Sequence, residues 1–479
     1  MNLSPPRATK IVATLGPAST PPEVLERLLV AGVNVVRVNF SHGTAQEHTQ
    51  AVTRVREIAQ RLGRDVGVLA DLQGPKIRVG KFADGKVELA IGDRFTFDTE
   101  CELGDQSRVG LDYKELVEDV RAGDTLLLND GRITMRVDRV GTTTIDCTVT
   151  QGGTLSNRKG INRQGGGLSA PALTAKDMDD IKTAVAFRAD FVAVSFPKNA
   201  ADMYMARELM RAAGGRALMI AKIERYEAIG NLEEILKASD GIMVARGDLA
   251  VEVGDAAVPA LQKRMIRMAR DLNRLTITAT QMMESMIEAP VPTRAEVSDV
   301  ANAVLDGTDA VMLSAETAAG KYPVETVESM VRICVEADRN PMTSIDAEFL
   351  HRTFSRIDQS IAMSAIFVAH HLKVKAIVAL TQSGSTALWM SRLDSGVPIY
   401  ALTPEEGSRR RMCLYREVHP LPMDYRSTER EAVLRQAEET LLAAGVVQRG
   451  DSIVITIGDP IGKSGGTNSM KIVKVGEGD

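Results

Sequence analysis

The strongest constraint on this chain is a unit that recurs along it. A short run rich in Val, Ile and Ala ends in a polar cluster and gives way to a helical pattern. Eight such runs occur, at 10–15, 33–38, 66–70, 191–194, 218–223, 241–245, 275–279 and 309–313. Short apolar runs set between helices read as parallel strands buried on both faces. Eight βα units predict an α/β protein built on a closed (β/α)8 TIM barrel, with its chemistry at the carboxyl ends of the strands. Helix-start signals agree. Thr20-Pro21-Pro22-Glu23 offers an N-cap, a Pro at the first helical position and a capping-box Glu. Thr293 with Glu296, and Thr174 with Asp177, repeat the device.

The third and fourth runs are about 120 residues apart, and the intervening chain changes character. Alternating segments such as Lys86-Val87-Glu88-Leu89, with turns at Asp84-Gly85 and Asn129-Asp130-Gly131, read as a β-rich insertion. The division expected is barrel over 1–73, an inserted β-barrel lid domain over 74–171, barrel again over 172–345, and a C-terminal open α/β domain over 346–479. In that last region helical patterns at 359–372 and 427–444 alternate with strand-like runs at 374–380, 398–402, 452–457 and 470–475.

Composition narrows the function classes. Lys plus Arg is 58 and Asp plus Glu 63, a net charge of −5, and one Trp with 4% aromatics leaves few stacking platforms. Nucleic acid is therefore not an expected partner. Four Cys without a CxxC pair fit neither a disulfide scaffold nor a thiolate zinc site and point to a reducing compartment. Residues 1–10 lack the apolar core of a signal peptide, and no apolar stretch is long enough to span a bilayer. A cytoplasmic protein without a membrane partner is expected.

Polar residues close every run. After the second come Arg37, Asn39 and Ser41; side chains alternate along a strand, so Arg37 and Asn39 share a face. The third gives Asp71 and then 73–78, and the fourth Ser195 and Lys198. The fifth reads Lys222-Ile223-Glu224, an ammonium beside a carboxylate. Arg246-Gly247-Asp248, then Thr280 and Gln281, then Ser314 and Glu316 complete the ring. Glu224 and Asp248 end adjacent strands and suit a hard divalent cation, because Mg²⁺ takes one or two protein carboxylates and leaves its other positions to water or substrate. The planar fork of Arg37 suits a phosphate or carboxylate, and Gly247 lets substrate approach the backbone. A single charge after a strand is usually a cap or surface group, but polar clusters on one edge of eight strands are not independent accidents. They read as a site for a small, multiply anionic substrate on a metal.

Six segments carry a resemblance: Asn39-Phe40-Ser41-His42-Gly43, Asp71-Leu72-Gln73-Gly74-Pro75-Lys76-Ile77-Arg78, Ala221-Lys222-Ile223-Glu224, Met243-Val244-Ala245-Arg246-Gly247-Asp248-Leu249, Ala279-Thr280-Gln281-Met282 and Met312-Leu313-Ser314-Ala315-Glu316-Thr317. In content, order and spacing they resemble the pyruvate kinase family over essentially the whole chain. The resemblance implies the same three-part architecture, a homotetramer, and transfer of a phosphoryl group from phosphoenolpyruvate to ADP, giving pyruvate and ATP at the end of glycolysis. It implies that Arg37 holds the transferring phosphoryl group and that Glu224 and Asp248 hold Mg²⁺ (or Mn²⁺). The backbone at Gly247 and Asp248 would meet the substrate carboxylate. Lys222 would neutralise charge on the phosphoryl group and the enolate, the main work in phosphoryl transfer. Thr280 would shape the carboxylate site and join a proton relay, with Ser314 and Glu316 as further relay candidates. Arg78 and Lys159 would face the nucleotide phosphates, with Pro17, Asn39 and His42 on the same side. The chain has no GxxxxGK[ST], and the family uses none.

Two finer expectations follow. Many members need K⁺, held at positions matching Asn39, Ser41, Asp71 and the backbone of residue 72, and carry an acid at the position of Lys76. Here Leu72, Gln73, Lys76 and Val79 resemble the branch that works without K⁺, and a tethered ammonium can supply the missing charge. Little K⁺ stimulation is expected. The segment Thr381-Gln382-Ser383-Gly384-Ser385-Thr386 follows a strand and opens a helix, where amides and hydroxyls hold phosphate; the residues alone fit an ordinary capped helix equally well. With 458–468, which includes Lys463, it resembles the family's effector pocket, and a sugar monophosphate or AMP is the expected activator.

Lesser features read as structure. Arg409-Arg410-Arg411 is expected to be solvated or subunit-facing, Met282, Met283 and Met286 to pack a core, and His370-His371 to bind no metal. Two rival functions compete with this reading. An enolate lyase or aldolase would share the barrel and cation but leave Arg78, Lys159 and the lid without a role. A phosphometabolite sensor with a dead site would carry substitutions at Lys222, Glu224, Asp248 or Thr280, and the sequence has none.

Overall fold

A computed structural model describes residues 7–75, 77–339, 353–393, 395–462 and 465–477. Eight parallel strands form a closed barrel: β1 (Lys10–Thr14), β2 (Val35–Asn39), β3 (Gly67–Asp71), β4 (Phe191–Val194), β5 (Leu218–Ile223), β6 (Gly241–Ala245), β7 (Leu275–Ala279) and β8 (Ala310–Leu313). They follow one another in chain order, and β8 closes on β1 in the register Lys10↔Ala310 to Ala13↔Leu313. Each lies within two residues of the run read from the sequence.

Strand alternation sorts the side chains. Ile11, Val36, Val68 and Val192 pack in one buried cluster with the surrounding helices, while Val12, Val35, Leu69 and Ile220 belong to another. Two residues further along those last four strands, on the same face, stand Thr14, Arg37, Asp71 and Lys222. The face that is apolar at mid-barrel is therefore polar at the mouth.

Capping boxes start the helices Ala175–Ala186 (Thr174, Asp177) and Arg294–Leu305 (Thr293, Glu296), and a third, Thr44 with Glu47, starts Ala45–Arg61. Thr20 is not a cap. The helix Pro22–Ala31 begins one residue later than the capping pattern predicts: Pro21 occupies the N-cap position and no side chain caps it.

Between β3 and β4 the chain builds a separate body. Strands Ile161–Arg163, Thr125–Leu128, Ile133–Val140, Thr144–Gln151, Arg94–Asp98 and Arg108–Val109 form a six-stranded sheet in that order, and Gly153–Ser156 pairs antiparallel with Lys86–Leu89. Phe95, Phe97, Leu126, Ile133 and Ile145 fill its own core. The chain leaves the barrel at Gly74, whose amide donates to Asp177 Oδ1 at 3.0 Å. It returns through Gly165, Gly166 and Gly167 at φ +81°, +76° and +89°, a left-handed stretch suited to glycine.

The C-terminal sheet contains β9 (Ala376–Leu380), β10 (Ile399–Thr403), β11 (Val418–Pro422), β12 (Ser452–Gly458) and β13 (Thr467–Lys474), in the order β11-β10-β9-β12-β13, with only β13 antiparallel. The sequence reading had no strand at 418–422. This domain docks on the amino end of the barrel. Buried Arg392 binds buried Asp309, with Nη1 2.9 Å from Oδ2, and Lys10 Nζ donates to Val418 O at 2.7 Å. Arg409 and Arg410 correct an expectation. They reach Asp65 and Asp190, each at the amino end of a barrel strand, at 2.9 and 3.0 Å rather than facing solvent. Met282, Met283 and Met286 are fully buried. Among the described residues no helix is long and apolar enough to cross a membrane.

Candidate active site at the barrel mouth

Four charged groups from β2, β3 and β5 alternate in sign across the mouth. Arg37 Nε donates to Asp71 Oδ2 at 2.6 Å, and its Nη1 to Thr14 Oγ1 at 3.0 Å. Lys222 Nζ lies 3.3 Å from Asp71 Oδ1 and 2.9 Å from Glu224 Oε1. It also donates to Ser195 Oγ at 2.7 Å, whose hydroxyl donates to Leu72 O. Phe196 N donates to Glu224 Oε2 at 3.0 Å. Burial works against the Lys222 ammonium, but Asp71 and Glu224 outweigh it and hold its pKa above the ordinary lysine range. Burial likewise opposes ionisation of Asp71, and Lys222 and Arg37 reverse that, leaving its pKa below the usual carboxylate range. Burial pushes Glu224 up to about 7; Lys222 opposes the rise and the neighbouring charge of Asp248 adds to it.

The ends of β6 and β7 interlock beside this chain of charges. Gly247 N donates to Thr280 Oγ1 at 2.8 Å, and that hydroxyl donates to Ala279 O at 2.7 Å. Thr280 and Gln281 both take positive φ, +67° and +54°, which is costly for a β-branched residue. Arg246 holds the pair in place: its Nη2 donates to Thr280 O at 2.8 Å while Nη1 binds Asp299 at 2.6 Å. Glu316 accepts from Met283 N and Ser314 N at 3.2 and 2.7 Å, so both its oxygens tie the β7 and β8 loops together.

Glu224 and Asp248 fit a divalent cation. They are hard oxygen donors at the ends of adjacent strands, and beyond burial the negative charge of Asp248 helps to raise the pKa of Glu224, so the two carboxylates repel across a gap that a cation would fill. Among the described residues no group of three or more His, Cys, Asp or Glu forms a cage for a metal. Two carboxylates are what Mg²⁺ needs when substrate oxygens complete its shell.

Other candidates take these places. Pro17 and His42 are exposed in the loops after β1 and β2. Asn39 pairs in register with Asp71, and its Oδ1 accepts from Ser41 N at 3.1 Å. Arg78 bridges Gly160 in antiparallel fashion and Val79 N donates to Lys159 O, so Arg78 and Lys159 are neighbours at the base of the insert. Lys76 and Lys463 lie outside the described residues. In the C-terminal domain Gly384 N donates to Thr381 Oγ1 at 2.9 Å, and the buried hydroxyls of Thr386 and Thr467 share a 2.7 Å bond. That bond joins the 381–386 segment to the start of β13, beside a cavity lined by Thr381, Gln382, Tyr425 and Gly462. Ser383 precedes Gly384 in the loop, and Ser385 opens the short helix Ser385–Ser391. The sequence reading missed Thr14 and gave Ser195 and Arg246 no role. The parity that selected Arg37 also selects Thr14, two residues beyond Val12.

The chain is similar to known proteins along its length. The family model for the pyruvate kinase barrel domain matches residues 6–327, and that for the pyruvate kinase alpha/beta domain matches 359–473. Pyruvate kinase II of Salmonella typhimurium is 50% identical over 475 residues, 98% of this chain and 99% of its own. A pyruvate kinase of Haemophilus influenzae is 51% identical over 94% of this chain and 96% of its own. One from Mycobacterium tuberculosis is 43% identical over 99% of each.

Proposed function

The chain belongs to the pyruvate kinase family and transfers a phosphoryl group from phosphoenolpyruvate to ADP, and on that premise we propose how its side chains divide the work. The observation that carries the assignment is the buried charge chain Arg37–Asp71–Lys222–Glu224, with Asp248 beside it. Arg37 holds the phosphoryl group; Asp71 and Thr14 fix the guanidinium so that little reorganisation is needed. Lys222 stands where negative charge builds on the phosphoryl group and the enolate oxygen, in a site that excludes water and so strengthens the attraction. The amide of Gly247, which here donates to Thr280 Oγ1, turns to the substrate carboxylate when that carboxylate takes the hydroxyl's place as acceptor, together with the Asp248 backbone, and Thr280 shapes the site beside it. Thr280 also lies at the start of a proton path to the enolate carbon. Arg78 and Lys159, adjacent at the base of the insert, face the phosphates of ADP, with Pro17, Asn39 and His42 on the same side. Glu224 and Asp248 hold Mg²⁺ or Mn²⁺, which when bound offsets charge on the substrate oxygens. The test is a coupled assay with phosphoenolpyruvate and ADP, repeated on Lys222→Met. Turnover that requires both substrates and collapses in the variant supports the assignment; an unchanged variant removes it.

Members of the family generally use Mg²⁺ and K⁺. For this chain we propose that Lys76 replaces K⁺ at the Asn39–Ser41–Asp71 pocket. Turnover should then differ by less than about twofold between potassium and tetramethylammonium buffers, whereas loss of a bound cation from a site that needed it would cost far more. The insert over 74–171 serves as the lid. The loops around Thr381, Ser383, Gly384, Ser385 and Thr386 receive a phosphorylated activator, a sugar monophosphate or AMP. Changing Thr381, Ser383 and Thr386 to Ala should abolish activation and spare basal turnover. Assembly as a homotetramer is proposed from the family resemblance, and solution mass is the check. A glycolytic activity is consistent with the proposed location in the cytoplasm.

A further inference from the structure

Helix Arg246–Val253 carries Asp248 and, one turn on, Glu252, which is buried. Glu252 Oε2 accepts from Tyr226 N at 2.8 Å, at the start of the helix that follows Glu224. Its side chain shares a cleft with that of Asn162, on the last strand of the insert, and its carbonyl accepts from Gly165 N at 3.4 Å. Two neighbours grip the chain's return segment just beyond that strand: Glu227 Oε1 accepts from Gly167 N at 2.5 Å, and Arg225 Nη1 donates to Leu168 O at 3.3 Å. Glu252 and Asp248 line one cleft, together with Pro75 and Asn162 from the two crossings into the insert. No other carboxylate named here joins the loop after β5, the helix after β6 and the inserted domain at once.

We propose that Glu252 is a positioning residue that couples the placement of the inserted domain to the spacing of Glu224 and Asp248. The inference rests on reading those two carboxylates as the divalent-cation site. When the return strand moves, Asn162 moves against Glu252, which bears on the backbone beyond Glu224 and on the helix that carries Asp248. The placement of the return segment and the spacing of the two carboxylates are thereby set together through Glu252.

The test is direct titration of Mn²⁺ on the full chain, read by electron paramagnetic resonance of the free ion, beside steady-state kinetics. Outer partners of metal ligands typically contribute 10–100-fold in affinity, so Glu252→Ala should weaken Mn²⁺ binding by about tenfold or more. It should raise the KM for Mn²⁺ more than it lowers kcat, and Glu252→Gln, which keeps the acceptor for Tyr226 N, should restore most of the loss. Asn162→Ala cuts only the insert's side of the link and should weaken binding by about threefold or more. It also decides the matter if Glu252→Ala does not fold. Weakening by Glu252→Ala without weakening by Asn162→Ala overturns the coupling, as does Mn²⁺ binding within about twofold of the parent in both. Asp248→Asn is the reference: if it too binds Mn²⁺ like the parent, the cation reading itself fails and the coupling falls with it.

Discussion

A lysine taken out of water ordinarily sheds its proton, because desolvation disfavours the ammonium. At Lys222 that tendency meets two carboxylates, Asp71 at 3.3 Å and Glu224 at 2.9 Å, and loses. The ammonium is therefore a fixed charge across the working pH range. Its replacement in Lys222→Met should lower kcat by about 10³-fold, the upper end for one electrostatic donor, in the coupled assay. Glu252 titrates in the opposite sense. Burial pushes it up to about 7 from an ordinary value of 4.5. The folded chain then holds its proton where the unfolded chain has released it. This contribution to stability is full below pH 4.5 and is lost as pH rises to about 7. In EDTA, melting temperatures from pH 5 to 8 should fall less steeply for Glu252→Gln than for the parent; parallel profiles would show that Glu252 does not carry the slope.

Among elements, the helices that flank the barrel owe their registration to caps. Thr293 accepts from Glu296 N and Glu296 returns a bond to the Thr293 amide. Glu296 also accepts from Ser285 N at 2.7 Å, so this cap reaches the loop after β7. Thr293→Ala should cost about 1 kcal/mol in urea unfolding, with an unchanged slope. The hinge at 165–167 is stricter. A Cβ on Gly166 would lie 2.7 Å from Glu227 Oε2, at φ +76°. Gly166→Ala should cost about 1–2 kcal/mol from the left-handed backbone alone, and should weaken Mn²⁺ binding if the return strand and the cation site move together.

Across the whole molecule, the barrel floor and the C-terminal domain share one apolar cluster: Val12, Phe191 and Leu275 pack with Ile366, Ile377 and Met412. Arg392 and Asp309 close it with a buried ion pair. Asp309 also accepts from Thr276 N at 2.8 Å and Arg416 N at 3.1 Å. Removing one partner of a buried pair leaves an uncompensated charge, which costs about 3–5 kcal/mol. Arg392→Met should lose that much stability and should separate denaturant unfolding into two transitions, one for each domain. A single transition at the parent's midpoint would mean that the apolar contact alone holds the domains.

The sequence by itself determined the repeating units. A strand buried on both faces and a helix with its cap signals are local, and each is written in about ten consecutive residues. Parity along those strands is local too, so the polar rim at Arg37, Asp71, Lys222 and Glu224 was legible, as was the adjacency of Glu224 and Asp248. Local pattern failed where context decides. Strand Val418–Pro422 (Val-His-Pro-Leu-Pro) lacks a clear β pattern and holds two prolines, tolerated because it lies at the edge of its sheet. Thr20 had the right residue type but stands one position outside its helix. Only tertiary structure showed that Asp71 joins Arg37 to Lys222, that Arg409 and Arg410 face the barrel floor, and that Glu252 meets Asn162 across the cleft. Those pairs are separated by tens to hundreds of residues, and their energies depend on burial and distance, which no stretch of sequence records until the chain has closed on itself.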